Sequence, residues 1–418
     1  MLFYFLHYFI EVNIMNLLWG IFGIFVVLGI GFLLSNKKKA INYRTIIGGL
    51  AIQLTFAFVV LKWEAGRSAL KWFTMRIQDV INYANEGLSF VFGPLAGADQ
   101  FGFIFAFQVL TIIIFFSSLI SVLYYLGIMQ WFIRIIGGGL SKLLGTSKAE
   151  SMSAAANIFV GQTEAPLVVR PFIEKMTKSE LFAVMTGGLA SVAGSVLVGY
   201  SLLGVPLEYL LAASFMAAPA GLVLAKLMMP ETEESETSRE FKMEKDTESV
   251  NVIDAAARGA GDGLMLALNV GAMLIAFIAL IALINGILGG LGGIVGFDSL
   301  SLQSILGILF SPIAFAVGVP WSEAVAAGSF IGQKLVLNEF VAYSSFAPQI
   351  EQLSPKTVIV VSFALCGFAN LSSMAILLGG LGGLAPSRRS DIAKLGLRAV
   401  IAGMLASLLS AAIAGMFI

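Results

Sequence analysis

The sequence predicts an all-α polytopic membrane protein, and its composition and hydropathy pattern are the observations that predict it. Of the 418 residues, 58% are hydrophobic and 12% are charged, whereas a soluble globular chain carries about 25% charged residues. Apolar runs of the ~20 residues that cross a bilayer recur along the whole chain. A chain this long and this apolar is expected to bury its surface in a lipid bilayer.

The rest of the composition excludes several classes of function. The net charge is zero, so no basic field favours nucleic acid as a partner. Cys366 is the one cysteine and His7 the one histidine, which leaves no disulfide framework, no Cys-based metal site and no Ser-His-Asp triad. The chain also lacks an HExxH or GxSxG motif. We therefore expect neither an enzyme nor a bound cofactor.

About eight apolar segments are long enough to be transmembrane helices. They are 16–34, 45–62, 103–128, 179–203, 206–229, 256–288, 356–382 and 393–418. The mixed stretches 64–92 and 302–318 are predicted to be amphipathic helices at the membrane interface. Residues 1–14 lack the basic region and cleavage site of a signal peptide, and Met15 is a second candidate for the translation start.

Lysines and arginines at the ends of the spans predict the orientation. If the N-terminus lies outside, most of these residues fall on one side, which is then the cytoplasm, and the C-terminus also lies outside. The residues on the predicted cytoplasmic side are Lys37, Lys38, Lys39, Arg44, Arg134, Lys142, Lys148, Arg239, Lys242, Lys245, Arg388, Arg389 and Lys394. The exceptions on the outer side are Lys62, Arg67, Lys71 and Arg76.

Two halves of the chain resemble each other on either side of the polar segment 230–251, which is predicted to be a mobile cytoplasmic linker. The first half has ESMSAAANIFVGQ ending at Gln162, and the second has EAVAAGSFIGQ ending at Gln333. An acidic residue follows each motif, Glu164 and Glu339. Each half then has a span interrupted by small and polar residues, GGLASVAGS and CGFANLSS.

This pattern predicts a re-entrant hairpin and a broken span in each half, related as an inverted repeat. The polar tip of such a hairpin must be buried in protein or line a wet cavity. Paired hairpins and interrupted spans are typical of a secondary transporter with its site near the bilayer midplane. The alternative is that the small residues merely let the helices of a bundle pack closely.

Glu164 and Glu339 are the strongest candidates for function, because a carboxylate at membrane depth costs about 2.5 kcal/mol or more. The alternative is an internal ion pair with Arg170 or Lys334. Neutral hydrogen-bonding side chains accompany the two acids and suit a neutral polar ligand better than an anion: Gln162, Thr163, Asn338, Asn370, Ser372 and Ser373. Phe368 is either an apolar wall for that ligand or ordinary packing.

A cation site is also consistent with the sequence. Asn157 lies near the tip of the first hairpin, and Ser191 lies in the break of the fourth span. Na⁺ needs several oxygen ligands, and unwound helices offer free carbonyls. The alternative is that these side chains bond a neighbouring helix.

Three segments in order resemble the signature segments of the concentrative nucleoside transporters, in their eight-span bacterial form. The segments are GQTEAPLVVRPF (161–172), NEFVAY (338–343) and CGFANLSSMAILLGGLGGLAP (366–386), and the resemblance covers the chain from Met15 to Ile418.

The resemblance implies a site, an assembly and a mechanism. It implies nucleobase contacts from Gln162, Thr163, Glu164 and Val196, ribose contacts from Glu339, Asn370, Ser373 and Phe368, and Na⁺ ligands from Asn157, Ser191 and the carbonyls of Val160 and Val192. It also implies nucleosides of the uridine, cytidine and adenosine class as substrates. The expected protein is a homotrimer in the bacterial inner membrane, in which a transport domain moves against a scaffold like an elevator.

The predicted spans, the repeat and the resemblance together divide the chain into six expected units. They are an N-terminal extension (1–14), scaffold spans with an interfacial helix (15–148), the first hairpin and broken span (149–229), the linker (230–251), a long scaffold span with an interfacial helix (252–320), and the second hairpin with the broken and last spans (321–418).

Other functions stay open at this point. Some bacterial members of the family couple to protons, so H⁺ is an alternative to Na⁺. A hairpin-type symporter for a small organic anion is a second alternative and would use Arg170. A passive channel is a third, distinguished by equilibration instead of accumulation.

Overall fold

The computed structural model describes residues 2–97, 102–238, 249–294, 296 and 300–418, with side chains from Ile14 onward except that of Ser238. The regular secondary structure of the described residues is helical, and none of these residues lies in a strand, which confirms the predicted all-α fold. The α-helices are α1 Leu2–Leu33, α2 Tyr43–Ala57, α3 Glu64–Phe92, α4 Thr111–Tyr125, α5 Ile128–Leu144, α6 Lys148–Ala156, α7 Lys178–Ala190, α8 Gly194–Leu202, α9 Leu207–Met228, α10 Val252–Ile294, α11 Leu302–Ala316, α12 Trp321–Val336, α13 Glu339–Phe346, α14 Pro355–Leu365, α15 Ser373–Leu384 and α16 Arg389–Ala414.

Seven helical segments of the described chain are long and apolar enough to cross a membrane, and they match seven of the eight predicted spans. They are Ile14–Leu33, Tyr43–Lys62, Ala106–Tyr125, Lys178–Leu202, Leu207–Met228, Val252–Ile294 and Pro386–Ala414. The remaining predicted span, 356–382, forms the two shorter helices α14 and α15 with a non-helical break at 366–372. The fourth span is likewise broken at 191–193, between α7 and α8. Both breaks lie where the sequence predicts them.

Helix–turn–helix units lie at the positions predicted for the two hairpins. In the first, Ser147 and Glu150 form a capping box at the start of α6, and a turn at 157–164 leads to a 3₁₀ helix, Ala165–Lys175, that packs against α6. In the second, α12 leads through Leu337 and Asn338 into α13, whose start is capped by the Asn338 side chain. A bend of 115° separates α11 from α12, and α12 begins at Trp321.

The core lies among the broken spans and the helices that follow them. In the fourth span and in α9, 94% of the most apolar segment is buried, whereas the value is 22% in the third span and in α10. The helices α1 and α2 pack on α9 and α16, and α4 pairs with α10 along its length. The pair α4–α10 therefore forms a lateral unit whose outer surface is exposed.

Basic segments that the sequence places on one side of the membrane do meet at one end of the molecule. Arg44 Nη2 donates to the carbonyl of Lys142 at 2.6 Å, and Arg388 Nη1 donates to that of Met176 at 2.6 Å. The described start of the linker is bonded to the same end, because the hydroxyls of Ser235 and Thr237 donate to Glu180. The mobility predicted for the linker concerns mainly 239–248, which lies outside the described residues.

Candidate functional site

The two broken spans touch each other at their breaks. The Phe368 N–H donates to the Ser191 carbonyl at 3.0 Å, which ties the seventh-span break to the fourth. Each break is also bonded to the hairpin of its own half, through Gly194 N–H to Phe159 O and Leu371 N–H to Leu335 O, both at 3.0 Å. These bonds satisfy backbone groups that a lipid environment would leave unpaired. Two hairpins and two breaks thus form one connected centre.

Gly367 is the residue that permits this close approach. A methyl group at Gly367 would lie 2.9 Å from the Ala190 carbonyl oxygen and 2.7 Å from Ser407 Oγ. We expect Gly367→Ala to destabilise the protein by about 1–3 kcal/mol, because an overpacked site must shift its neighbours. A lower thermal unfolding midpoint of the purified protein would show it. Gly379→Ala is the matched control, since nothing lies within 4 Å of its added methyl group, and equal midpoints for the two variants would contradict the expectation.

A cavity of about 140 Å³ lies at this centre. It is bounded by both hairpin tips, both breaks and one face of α10. All eight side chains expected to contact base and ribose line it, together with other residues of the same segments and of α10. The full wall consists of Gly161, Gln162, Thr163, Glu164, Ala193, Val196, Leu266, Val270, Met273, Leu274, Asn338, Glu339, Phe340, Phe368, Asn370, Ser372, Ser373 and Ile376. None of these residues is Lys or Arg.

Glu339 is held in place by donors from two other elements. It is 6% exposed, its Oε2 accepts from Asn370 Nδ2 at 3.0 Å, and its Oε1 accepts from the Tyr200 hydroxyl at 3.2 Å. The Asn370 side-chain oxygen Oδ1 in turn accepts from Ser373 N–H at 2.9 Å and from Ser372 Oγ at 2.7 Å. The Asn370 side chain therefore accepts from the first N–H of α15 while its amide nitrogen orients the carboxylate.

The other wall of the cavity is formed by the tip of the first hairpin. Glu164 Oε2 accepts from the Gly161 N–H at 2.6 Å, inside the turn. Gln162 Nε2 contacts Ser373 Oγ at 3.5 Å, which joins the two sets of expected ligands. The Gln162 side-chain oxygen Oε1 is buried without a hydrogen-bond partner among the described residues. An unpaired acceptor at a polar cavity is suited to a ligand donor.

The ion pairs considered as alternatives for the two acids do not form. Lys334 Nζ donates instead to the Ala364 carbonyl at 2.8 Å and to Ser407 Oγ at 3.1 Å. Arg170 is exposed on the 3₁₀ helix and is not part of the cavity wall. Both carboxylates therefore face the cavity without a bonded cation.

Helix N-termini point toward the same cavity. The helices α8, α13 and α15 begin at Gly194, Glu339 and Ser373, each within or beside the cavity wall. Such ends carry a partial positive charge. That charge favours the Glu339 carboxylate and the oxygens of a neutral ligand.

Two of the expected cation ligands, Asn157 and Ser191, lie at the C-terminal ends of the helices α6 and α7. Asn157 and Ser191 are the first residues beyond α6 and α7, and both contact Gly187. A methyl group at Gly187 would lie 3.3 Å from Asn157 Nδ2, and Ser191 Oγ donates to the Gly187 carbonyl at 3.1 Å. The Asn157 side-chain oxygen Oδ1 is buried and has no hydrogen-bond partner among the described residues. Val160 and Val192 are buried as well, and the unpaired Asn157 side-chain oxygen is an acceptor that suits a small cation.

Some residues in the cavity wall or directly bonded to it were not predicted from the sequence. Tyr200 lies one helical turn after Val196, so the i, i+4 rule offered a signal for it. Phe340 directly follows Glu339, and its ring is 3% exposed. The α10 residues gave no signal, because apolar side chains in a long apolar span look like lipid-facing ones.

Gln162 and Gln333 occupy matching positions in the two repeats, but only Gln162 lines the cavity. Gln333 Oε1 accepts from Ser345 Oγ at 2.8 Å within the second hairpin. The physical reason is that α12 continues to Val336 before its turn, whereas α6 ends at Ala156. The same motif therefore lies inside a helix in one half and at the tip in the other.

An apolar helical bundle with a polar cavity between two broken spans and two hairpin units defines the class of a secondary transporter. Family models described as Na⁺ dependent nucleoside transporter N-terminus, Nucleoside recognition, and Na⁺ dependent nucleoside transporter C-terminus match residues 22–95, 106–207 and 209–415. The chain belongs to the Na⁺-dependent nucleoside transporter family, and it is therefore a transporter and not an enzyme.

Relatives and solved structures agree with this membership. An uncharacterized transporter, YutK of Bacillus subtilis (strain 168), is 64% identical over 405 residues, which cover 97% of this chain and 100% of the relative. Nucleoside permease NupC of Helicobacter pylori is 52% identical over 415 residues, covering 97% and 99%. The transporter CNTnw is similar in an inward-facing substrate-bound state, with a TM-score of 0.91, 57% identity and coverage of 96% of this chain and 98% of that chain. A CNTnw variant in an outward-facing state has a TM-score of 0.94, 57% identity and coverage of 96% and 99%. The resemblance seen in the sequence is confirmed.

Proposed function

We propose that this chain imports nucleosides across the bacterial inner membrane by symport with Na⁺. The observation that carries the proposal is the unpaired and buried side-chain oxygen Oδ1 of Asn157. Asn157 lies where α6 and α7 end, close to the cavity. A buried acceptor without a partner costs about 1–3 kcal/mol, and a bound cation removes that cost.

The cavity supports a division of the substrate between the two halves. Gln162, Thr163, Glu164 and Val196 are the proposed nucleobase ligands, and Glu339, Asn370, Ser373 and Phe368 the proposed ribose ligands. A carboxylate that accepts hydrogen bonds suits the vicinal hydroxyls of a ribose, and amide groups suit the edge of a base. The lack of Lys or Arg among the cavity residues argues against a small organic anion.

Coupling follows from the connection between the two places. A cation bound to Asn157 and Ser191 would hold the first hairpin turn against the fourth-span break, which the Gly194–Phe159 bond already joins. Gln162 and Val196 lie on these same two segments and line the cavity. Each ligand would thus stabilise the arrangement that the other needs, and such coupling is reciprocal.

The proposed movement is of the elevator type within a homotrimer. The pair α4–α10 is the proposed stationary element, because α10 contributes only apolar residues to the cavity wall, Leu266, Val270, Met273 and Leu274. An apolar wall makes no directional bonds that would oppose sliding. Support also comes from CNTnw, which has been solved in inward-facing and outward-facing states. The division into domains and the outside location of both termini stay predictions.

Uptake into proteoliposomes tests this proposal. We expect [³H]uridine to accumulate with an inward Na⁺ gradient and not with an inward proton gradient. In Asn157→Ala the Na⁺ concentration for half-maximal uptake should rise about tenfold or more, as expected for the loss of one oxygen ligand worth roughly 1.4 kcal/mol. Asn285→Ala is the matched control, since that amide bonds Gln303 at 2.9 Å, away from the cavity.

The other outcomes discriminate among the alternatives. Accumulation driven only by protons would keep nucleoside symport but make Asn157 and Ser191 ordinary packing residues. Equilibration without accumulation would indicate a channel. No uridine uptake from demonstrably folded protein would contradict the nucleoside proposal and reopen the anion symporter.

A further inference from the structure

Lys334 is a buried cation that the proposed transport cycle does not use. Its side chain is 0% exposed, yet Lys is almost never fully buried without a compensating partner. Its ammonium donates to the Ala364 carbonyl oxygen at 2.8 Å and to Ser407 Oγ at 3.1 Å. Both hydrogen-bond partners are neutral oxygens, so no bonded carboxylate neutralises the charge.

The broken seventh span supplies that compensation. In a continuous helix the Ala364 carbonyl would accept from the N–H of Phe368, but that N–H donates to Ser191 across the two breaks. The carbonyl is therefore released at the end of α14, which stops at Leu365. Lys334 itself lies in the last turn of α12, which stops at Val336. Two helix C-termini meet here, and each carries a partial negative charge of roughly half an electron.

The first half contains the same arrangement without a charged side chain among its ligands. There the ends of α6 and α7 meet at two neutral residues, Asn157 and Ser191. The side-chain oxygen Oδ1 of Asn157 has no hydrogen-bond partner among the described residues. In each half, the first arm of the hairpin and the first part of the broken span end together. A cation is favoured at both places for the same physical reason.

We propose that Lys334 is a built-in cation that does for the second half what the coupling ion does for the first. Its ammonium holds the second hairpin on the seventh-span break without any ion from solution. The comparison with a bound ion rests on the proposed Na⁺ site, whereas the contacts of Lys334 do not.

This role makes Lys334 a positioning residue for the ribose side of the cavity. The next residue, Leu335, accepts a backbone bond from Leu371 at 3.0 Å, and Asn370 beside it orients Glu339. Loss of the ammonium should therefore loosen the hairpin from the break and displace Glu339 relative to Asn370. Lys334 does not line the cavity, so it acts on the ligand only through these neighbours.

The test is chemical rescue in the purified full-length protein. At saturating Na⁺, Lys334→Ala is expected to weaken [³H]uridine binding by roughly 10- to 100-fold, the range for losing a hydrogen bond from a charged group. Ethylammonium chloride should restore much of the affinity and raise the thermal unfolding midpoint of the variant, because the small cation refills the place. Choline chloride at the same ionic strength should do neither, and wild type should respond to neither salt.

Three further variants make the test decisive. Lys334→Arg keeps the charge and should bind uridine within a few-fold of wild type, whereas Lys334→Gln should bind as weakly as Lys334→Ala. Lys356→Ala is the matched control, since that lysine lies at the other end of α14 and donates to Asn16 at 2.6 Å. Normal uridine affinity in Lys334→Gln, or no effect of ethylammonium on either the affinity or the unfolding midpoint of Lys334→Ala, would overturn the inference. The unfolding midpoint needs no nucleoside, so failure of the wild type to bind uridine would count against the proposed function alone.

Discussion

Glu339→Gln is expected to weaken uridine binding by about a hundredfold or more while the protein stays folded. The two carboxylate oxygens accept from Tyr200 and Asn370, at 3.2 and 3.0 Å. An amide can supply only one acceptor, so its NH₂ group would face one of these donors. The proposed ribose hydroxyls would lose a charged acceptor as well, and each hydrogen bond to a charged group contributes about 1.5–3 kcal/mol.

Equilibrium binding of [³H]uridine to the purified variant, with a thermal unfolding curve on the same sample, measures both parts of this expectation. Glu351→Gln is the matched control, because that residue is exposed in the same half of the chain and should bind as wild type does. If Glu339→Gln bound uridine normally, Glu339 would not be a substrate ligand, whatever its place in the cavity.

Much of the fold follows from local sequence, because the signals for it are physical and short in range. The break at 191–193 lies inside GGLASVAGS, and the break at 366–372 lies inside CGFANLSS. Small and polar residues lower the stability of a helix enough for its backbone to bond elsewhere. Asn370 illustrates the gain, since its side chain accepts from the first N–H of α15 and donates to Glu339 at once.

The partners of the buried charges could not be predicted in this way. Spacing alone suggested Lys334 as a counter-ion for Glu339, but the ammonium bonds the Ala364 carbonyl, which is free only because the two breaks exchange a backbone bond. Tyr200 reaches Glu339 from the other half of the repeat, 139 positions away. Contacts of this range depend on how the two halves cross, and no window of sequence contains that information.

A short and buried ion pair was missed for the same reason. Lys226 Nζ lies 2.6 Å from Glu150 Oε2, and the two side chains are 6% and 2% exposed. The ammonium also donates to Ser179 Oγ at 2.9 Å, and Glu231 lies at 3.6 Å. Glu150 accepts from the Ser147 N–H at 2.7 Å and so caps the first hairpin. The pair therefore joins the base of that hairpin to the last turn of α9.

Lys226→Met is expected to destabilise the protein by about 3–5 kcal/mol, the cost of leaving a buried charge without its partner. The Met side chain fills similar space, so the lost charge and not a cavity causes the effect. The double variant Lys226→Met, Glu150→Gln should recover much of that stability, because the most buried carboxylate is then neutral and its amide oxygen can still cap α6. Glu231, which is partly exposed, keeps the Thr177 hydroxyl as a donor at 2.7 Å. Thermal inactivation half-lives of the purified variants measure the effect, with Lys394→Met as the control, since that lysine is exposed on α16. A double variant no more stable than Lys226→Met would mean that packing around the Lys226 stem, and not its charge, fastens the first hairpin to α9.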